Sequence, residues 1–253
     1  MTVVRALLFD FFGTLVAYSP SRTEQGYERT HRLLAERGVD IAYSDFLDHW
    51  VAASEELDRW SAAEGREYGM PQVAEGFLRR VGRDGADEAL SGSLWRSYLD
   101  EWNVGVRHDP RVAPFIRDLA NRYPLGVVTN THHAPLVWGH LRAMGLDEVF
   151  RTVVTSVEVG RPKPHRAVFD AAVEAIGVPA GETMYVGDSY VADYLGATRA
   201  GLRALLIDPR RESPVPARDR LGDVFGATAW LDRHMGNESA GASHATEARG
   251  RVP

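Results

Sequence analysis

Four separated segments of this chain end in side chains that could do chemistry together: Asp10 in "LLFDFFGT", Thr129 followed by Asn130 in "GVVTN", Lys163 in "VGRPKP" and Asp188 in "YVGDS". Asp10, Thr129 and Asp188 close short apolar runs, and Lys163 lies in the loop after another. Two carboxylates offer the hard oxygen ligands that suit Mg²⁺ with its retained waters, and an ammonium beside them supplies a compact positive charge that a guanidinium fork does not imitate. Taken singly, each has a plain structural use. An aspartate at a strand end forms turns or caps helices, a threonine suits a β-branched strand, and a lysine in a proline-rich loop is solvated. Lys163 stands apart because the chain has 28 arginines and this single lysine. The joint placement at strand ends points to a site, because ligands of open parallel sheets bind beyond the carboxyl ends of the strands.

The elements that must deliver these side chains can be read from apolar periodicity. Residues 3–10, 123–130, 151–156, 182–188 and 202–208 read as buried strands, being short, rich in β-branched residues and bounded by polar or turn residues. Segments 111–122, 134–145, 164–177 and 191–201 carry apolar residues at helical spacing, the last three ending in Gly145, Gly177 and Gly201, where a left-handed cap fits. This alternation predicts an α/β fold, a Rossmann-like doubly wound parallel sheet. Residues 17–104 break the rhythm. They read as about four amphipathic helices, within 22–38, 44–65, 70–82 and 86–102, with Phe46, Leu47, Trp50, Val51 and Leu57 on one face of the second. The expected layout is a core of residues 1–16 and 105–235, an inserted helical domain at 17–104, and a disordered polar tail at 236–253.

Composition limits the partners. At 253 residues, 44% hydrophobic and 25% charged, with a formal net charge of −6, the chain gives no electrostatic reason to meet nucleic acid or an anionic membrane. A small-molecule substrate is expected instead, on a monomer or homodimer. The absence of cysteine excludes disulfides and a thiol nucleophile. The apolar stretch at the start is too short for a secretory signal or a membrane span, so a cytoplasmic location is expected.

The same residues resemble the haloacid dehalogenase-like (HAD) hydrolases across roughly residues 3–208. "DFFGT", "VVTN", "GRPKP" and "GDSYVAD" match the four motifs of that family in order, and the helical insertion after the first motif is similar to its C1 cap. The resemblance implies that Asp10 is a nucleophile forming a covalent aspartyl intermediate. It implies that Thr129, with Asn130, binds the transferring group and that Lys163 neutralises charge. It also implies that Asp10, the backbone carbonyl of Phe12, Asp188 and, through waters, Asp193 hold Mg²⁺.

One position departs from the pattern. Phosphatases of the family carry an acid two residues after the nucleophile, and this chain has Phe12 there, which neither donates nor accepts a proton. Tyr18, His31, His132 and His133 are the side chains nearest in type to a substitute. An aromatic residue at this place also resembles the L-2-haloacid dehalogenases, but those replace the "GDS" motif that is intact here. Phosphonoacetaldehyde hydrolases need a cap lysine that this chain lacks. The expected enzyme is a Mg²⁺-dependent phosphatase acting on a small phosphorylated metabolite with a good leaving group, such as an acyl or enol phosphate. The alternatives are a dehalogenase and a metal- or ligand-binding homologue with little turnover.

Overall fold

The computed structural model describes residues 3–19, 21–83, 85 and 88–235. The tail expected at 236–253 lies outside them. Six parallel strands form one sheet: β1 (Ala6–Phe9), β2 (Leu125–Thr129), β3 (Thr152–Thr155), β4 (Thr183–Gly187), β5 (Arg203–Ile207) and β6 (Arg220–Leu221), in the order β3-β2-β1-β4-β5-β6. The strand order reverses at β1, and the crevice at such a switch point is where these sheets bind ligands.

Alternation along β1 shows why the sheet is covered on both faces. Leu7 and Phe9 enter one hydrophobic cluster, with residues of α5 (Val112–Ala120), α6 (Ala134–Ala143) and α10 (Gly226–Met235). Ala6 and Leu8 enter the other, with α8 (Arg166–Ile176) and α9 (Gly196–Arg199). A strand buried on both sides must be apolar throughout, and all four β1 residues are buried. Gly145, Gly177 and Gly201 do adopt positive φ, at 64°, 73° and 89°.

Between β1 and α5 the chain forms α1 (Glu28–Glu36), α2 (Tyr43–Glu64), α3 (Met70–Arg80) and α4 (Glu88–Trp102). These helices have a core of their own, in which Trp50 stacks on Tyr98 at 4.1 Å between ring centroids and Phe46 meets Phe77 edge-on at 5.6 Å. Phe46 and Trp50 are buried as the periodicity predicts, Leu47 and Leu57 pack at its margin, and Ala53 takes the inner place expected for Val51. Ala17 and Arg107 exchange two backbone hydrogen bonds, of 3.0 and 2.8 Å, which hold the start and the end of the insertion side by side.

Five elements differ from the sequence reading. The first helix begins at Glu28 rather than near residue 22, because Gly26 has φ +80° and the Tyr27 N–H is donated to the Tyr43 hydroxyl at 2.8 Å. Residues 191–201 are not one regular helix: Tyr190–Leu195 is a π-helical turn, followed by the short α9. Strand β6, helix α10 and the one-turn helix α7 (Ser156–Val159) were not foreseen. No described helix is long and apolar enough to cross a membrane.

Candidate active site

Asp10 follows β1 directly, and its N–H continues the sheet by donating to the Val186 carbonyl at 2.9 Å. The chain must then leave the sheet at once. The Phe11 carbonyl accepts three N–H groups, from Thr14, Leu15 and Val16, at 3.3, 2.8 and 3.1 Å, which closes a tight turn. Gly13 makes this turn possible: it holds φ +92°, and a Cβ there would lie 2.2 Å from Asp188 Oδ2. The turn of the first segment is thus built against the carboxylate of the last.

Lys163 reaches in from the loop after α7 and joins the two sides of the site. Its Nζ lies 2.6 Å from Asp10 Oδ1, 2.6 Å from Asp193 Oδ1 and 2.9 Å from the Tyr185 hydroxyl, with the lysine only 6% exposed. Asn130 fixes the lysine's backbone by a two-way clamp: its Nδ2 donates to the Lys163 carbonyl at 3.1 Å and its Oδ1 accepts the Lys163 N–H at 2.8 Å. Asp193, 1% exposed, comes from the π-helical turn, where the N–H of Tyr194 reaches back five residues to the Ser189 carbonyl. Asp193 accepts the Ser189 N–H at 2.9 Å and lies so close to β4 that a Cβ on Gly187 would sit 2.4 Å from its Cγ. Thr129 is buried at the end of β2, next to β1 in the sheet.

Carboxylate oxygens of Asp10, Asp188 and Asp193 lie within 4.8 Å of one another. Burial opposes the charge on Lys163, but Asp10 and Asp193 outweigh it and hold the ammonium above the ordinary lysine range. Burial also raises the Asp10 carboxyl, against the pull of Lys163. Asp188 is pushed up to about 7 by desolvation and then by the charges of Asp10 and Asp193, although its outer edge is open to solvent. One cation facing three carboxylates leaves unbalanced negative charge, which is the electrostatic demand of a site for a hard dication.

Phe12 turns away from this cluster. Its ring packs edge-on against Phe11, Tyr18, Trp102 and His140, at 5.0, 5.6, 5.7 and 6.2 Å between centroids. Beyond it lies a cavity of about 270 Å³ between the inserted helices and the loops after β1 and β2, with Asn130 and Thr131 on the sheet side.

A family model for haloacid dehalogenase-like hydrolases matches residues 4–201. The chain belongs to this family. As a HAD hydrolase it is similar to a glyceraldehyde 3-phosphate phosphatase of Methanopyrus kandleri, 30% identical over 85% of this chain and 91% of the relative. It is also similar to a ribulose-1,5-bisphosphate 5-phosphatase of Halopiger xanaduensis, 28% identical over 82% and 86%. The fold matches a 2-haloacid dehalogenase of Pseudomonas syringae with a TM-score of 0.69, at 22% identity over 91% of this chain and 99% of that one.

The side chains considered as substitutes for the missing acid fall in different places. Tyr18 lines the cavity beside Phe12, and its hydroxyl is raised above the ordinary tyrosine range by burial and by the nearby Asp188 and Asp10. His132 stacks on Tyr68 and bonds its carbonyl at 3.1 Å, and His133 precedes α6, its ring against Trp95. His31 lies in the helical insertion, bonded to the Ile41 carbonyl at 2.7 Å.

Sequence reasoning missed Tyr185. Its hydroxyl lies within 3.0 Å of Lys163 Nζ, Asp193 Oδ1 and the Val128 carbonyl, so it braces the ion pairs from inside the sheet. Its one signal was a hydroxyl-bearing residue in a run otherwise apolar.

Proposed function

We propose that this HAD hydrolase is a Mg²⁺-dependent phosphatase in which Asp10 attacks phosphorus and Lys163 and Thr129 stabilise the charge on the transferring group. The observation that carries the reading is the convergence of three carboxylates, the buried Asp10 and Asp193 paired to the Lys163 ammonium and the solvent-facing Asp188 beside them. Asp10, Asp188 and the Phe12 carbonyl would ligate Mg²⁺ directly and Asp193 through water. The ion would supply Lewis-acid neutralisation of phosphate charge.

The chain's own residues account for the rest of the cycle. A carboxylate oxygen of Asp10 bonds to phosphorus as the ester P–O bond breaks, and the electron pair leaves on the ester oxygen. Water then attacks the aspartyl phosphate: its hydroxyl joins phosphorus as the P–O bond to Asp10 breaks and restores the carboxylate, and its proton ends on the released oxygen. Lys163, clamped by Asn130, favours the ionised form of Asp10 against the opposing effect of burial and holds one of its carboxylate oxygens in place. Residues 17–104 would act as a lid, hinged where Ala17 and Arg107 pair, that excludes water and selects the substrate. The two curated relatives support phosphorylated metabolites as the substrate class.

The test is a panel of phosphate esters, acyl phosphates and 2-haloacids, each run with Mg²⁺ and with EDTA, on the parent and on Asp10→Asn. Phosphate release that needs both Mg²⁺ and Asp10 is the expected result. Halide release from 2-chloropropionate in EDTA, with no phosphate released from any substrate, would replace this reading with a dehalogenase, to which the aromatic ring of Phe12 also corresponds.

A further inference from the structure

Resting on the phosphatase reading, we propose that the group this enzyme removes from phosphate is an aryl or heteroaryl oxygen, with its ring held in the cavity behind Phe12, and not the polyol of a sugar or triose phosphate. Two separate features of the molecule lead to the same chemistry.

The first is the wall of the cavity. Six aromatic rings line it: Phe12, Tyr18, Trp50, Tyr68, Tyr98 and Trp102. Several polar groups on that wall are already engaged with the protein, while the Tyr18 hydroxyl and the His133 ring, at its edge beside Phe12 and the loop after β2, stay available. The Tyr98 hydroxyl donates to the Arg22 carbonyl at 2.9 Å, the Tyr68 hydroxyl to Asp58, and the Ser54 hydroxyl to the Trp50 carbonyl at 3.0 Å. His132 Nδ1 is taken by the Tyr68 carbonyl, and the Arg22 guanidinium is bound to Asp58 at 2.9 Å. A planar ring entering here meets aromatic faces and edges at little polar cost. A polyol would trade water for a wall that is mostly aromatic, with few free partners for several hydroxyls, and each hydroxyl left unpaired lowers affinity on the order of 5- to 100-fold. The space suffices: a cavity of roughly 150 Å³ accepts benzene, and this one measures about 270 Å³.

The second feature is the reaction centre. With Phe12 where a proton donor would stand, the ester oxygen departs as an anion. A phenolate or heteroaryl oxide is stable enough to do so, whereas an alkoxide loses the roughly 10²- to 10⁴-fold help that general acid catalysis provides. The step balances without a further reagent: the P–O(aryl) bond breaks with its electron pair on the aryl oxygen, and the water that hydrolyses the aspartyl phosphate supplies the proton. The ring that withholds the proton is also part of the wall that receives the aryl group.

Four substrates separate ring recognition from leaving-group quality: phenyl phosphate (ring, good leaving group), benzyl phosphate (ring, alkoxide), acetyl phosphate (no ring, good leaving group) and glyceraldehyde 3-phosphate (neither). With Mg²⁺, phenyl phosphate should exceed glyceraldehyde 3-phosphate in kcat/KM by at least about 100-fold, and benzyl phosphate should show a low KM with a low kcat. Binding is read independently of turnover, by the tryptophan fluorescence of Trp50 and Trp102 on titration with benzylphosphonate and with propylphosphonate. At least about tenfold tighter binding of the aromatic phosphonate is expected, and Trp102→Ala should reduce that preference. Equal binding of the two phosphonates, or a kcat/KM for glyceraldehyde 3-phosphate that matches phenyl phosphate, overturns the proposal. Preferential binding of benzylphosphonate without phosphate release from any of the four supports the aromatic pocket and refutes the phosphatase reading beneath it.

Discussion

Replacing Lys163 with Met removes the one ammonium from between two buried carboxylates and keeps a side chain of similar length. The lysine side chain is 3% exposed and 2.6 Å from each of Asp10 and Asp193, whose side chains are 7% and 1% exposed, so neither acid can turn to water for compensation. Removing one partner of a buried ion pair costs about 3–5 kcal/mol, because the other charge stays buried. In a chain of this size each kcal/mol lowers Tm by about 2–4 °C, which predicts a fall of roughly 6–20 °C. The loss must depend on pH. Burial already raises the Asp10 carboxyl with the lysine present, and without it that acid takes up a proton more readily folded than unfolded, where aspartate titrates near 3.8. The folded variant then binds more protons than the unfolded chain, so its stability falls as pH rises from about 4 through the raised folded value. Urea and thermal unfolding of parent and variant in EDTA, at about pH 5.5 and about pH 8, measure this, and the deficit should be clearly larger at the higher pH. A deficit below about 1 kcal/mol, or one equal at both pH values, would refute the view that this cluster is held together by an ammonium facing carboxylates. Lys163→Arg keeps the charge and should lose less stability but most of the turnover, since a guanidinium does not fit the compact place between three oxygens.

Calorimetry of Mg²⁺ binding should show loss of most affinity in Asp188→Ala, and in the parent a fall in affinity as pH drops below about 7, where a proton competes for Asp188. Phe12→Asp should raise hydrolysis of alkyl phosphates by roughly 10²-fold if the new carboxylate reaches the ester oxygen and barely change that of acyl phosphates, which leave without a proton. The same variant loses the ring contacts of Phe12 and should melt lower than the parent. His140, 6% exposed with Nε2 unpartnered, is held to about 4 by burial and by His108, against 6.5 for an ordinary histidine. The unfolded chain therefore binds more protons between about 6.5 and 4, and stability should fall as pH drops through that window. Replacement by Leu should flatten this acid limb of a urea-midpoint profile by roughly 1–3 kcal/mol.

Much of the sheet was legible because a strand buried on both faces has few alternatives: β1 to β5 are short and largely apolar, and each predicted span contains the strand with one to three residues to spare at each end. Strand β6, only two residues long, has no period to detect. The π-helical turn escaped for a related reason. A helical period predicts 3.6 residues per turn, and the wider turn that carries Asp193 inward shows only in its backbone hydrogen bonds. At the site, Asp10, Lys163, Asp188 and Asp193 were readable from type and motif, and the structure brings them together. Tyr185 was not, because an aromatic residue in a buried strand is ordinary core until the hydroxyl is found against Lys163. The cavity was equally hidden, as its walls come from the turn after β1, from α2 and α4 and from the loop after β2, and only packing joins them.

Position 12 joins these threads, because its side chain sits where chemistry and specificity meet. The turn at Gly13 is dictated by Asp188, so the backbone of residue 12 belongs to the carboxylate cluster whatever side chain it bears. The side chain is free to vary, and a carboxylate there would face the reaction centre or be stranded among Phe11, Tyr18, Trp102 and His140. An aromatic ring resolves that conflict by joining the cluster, which removes the proton donor and completes an apolar wall in one change. Tyr18 and Trp102, which flank the ring, lie at the start and end of the inserted helices next to the Ala17–Arg107 bridge. Movement of the insertion would therefore shift the same rings that contact a bound aryl group. Under the proposed lid, selection of substrate and exclusion of water would thus be coupled through Phe12, although its ring has no proton to exchange with the substrate.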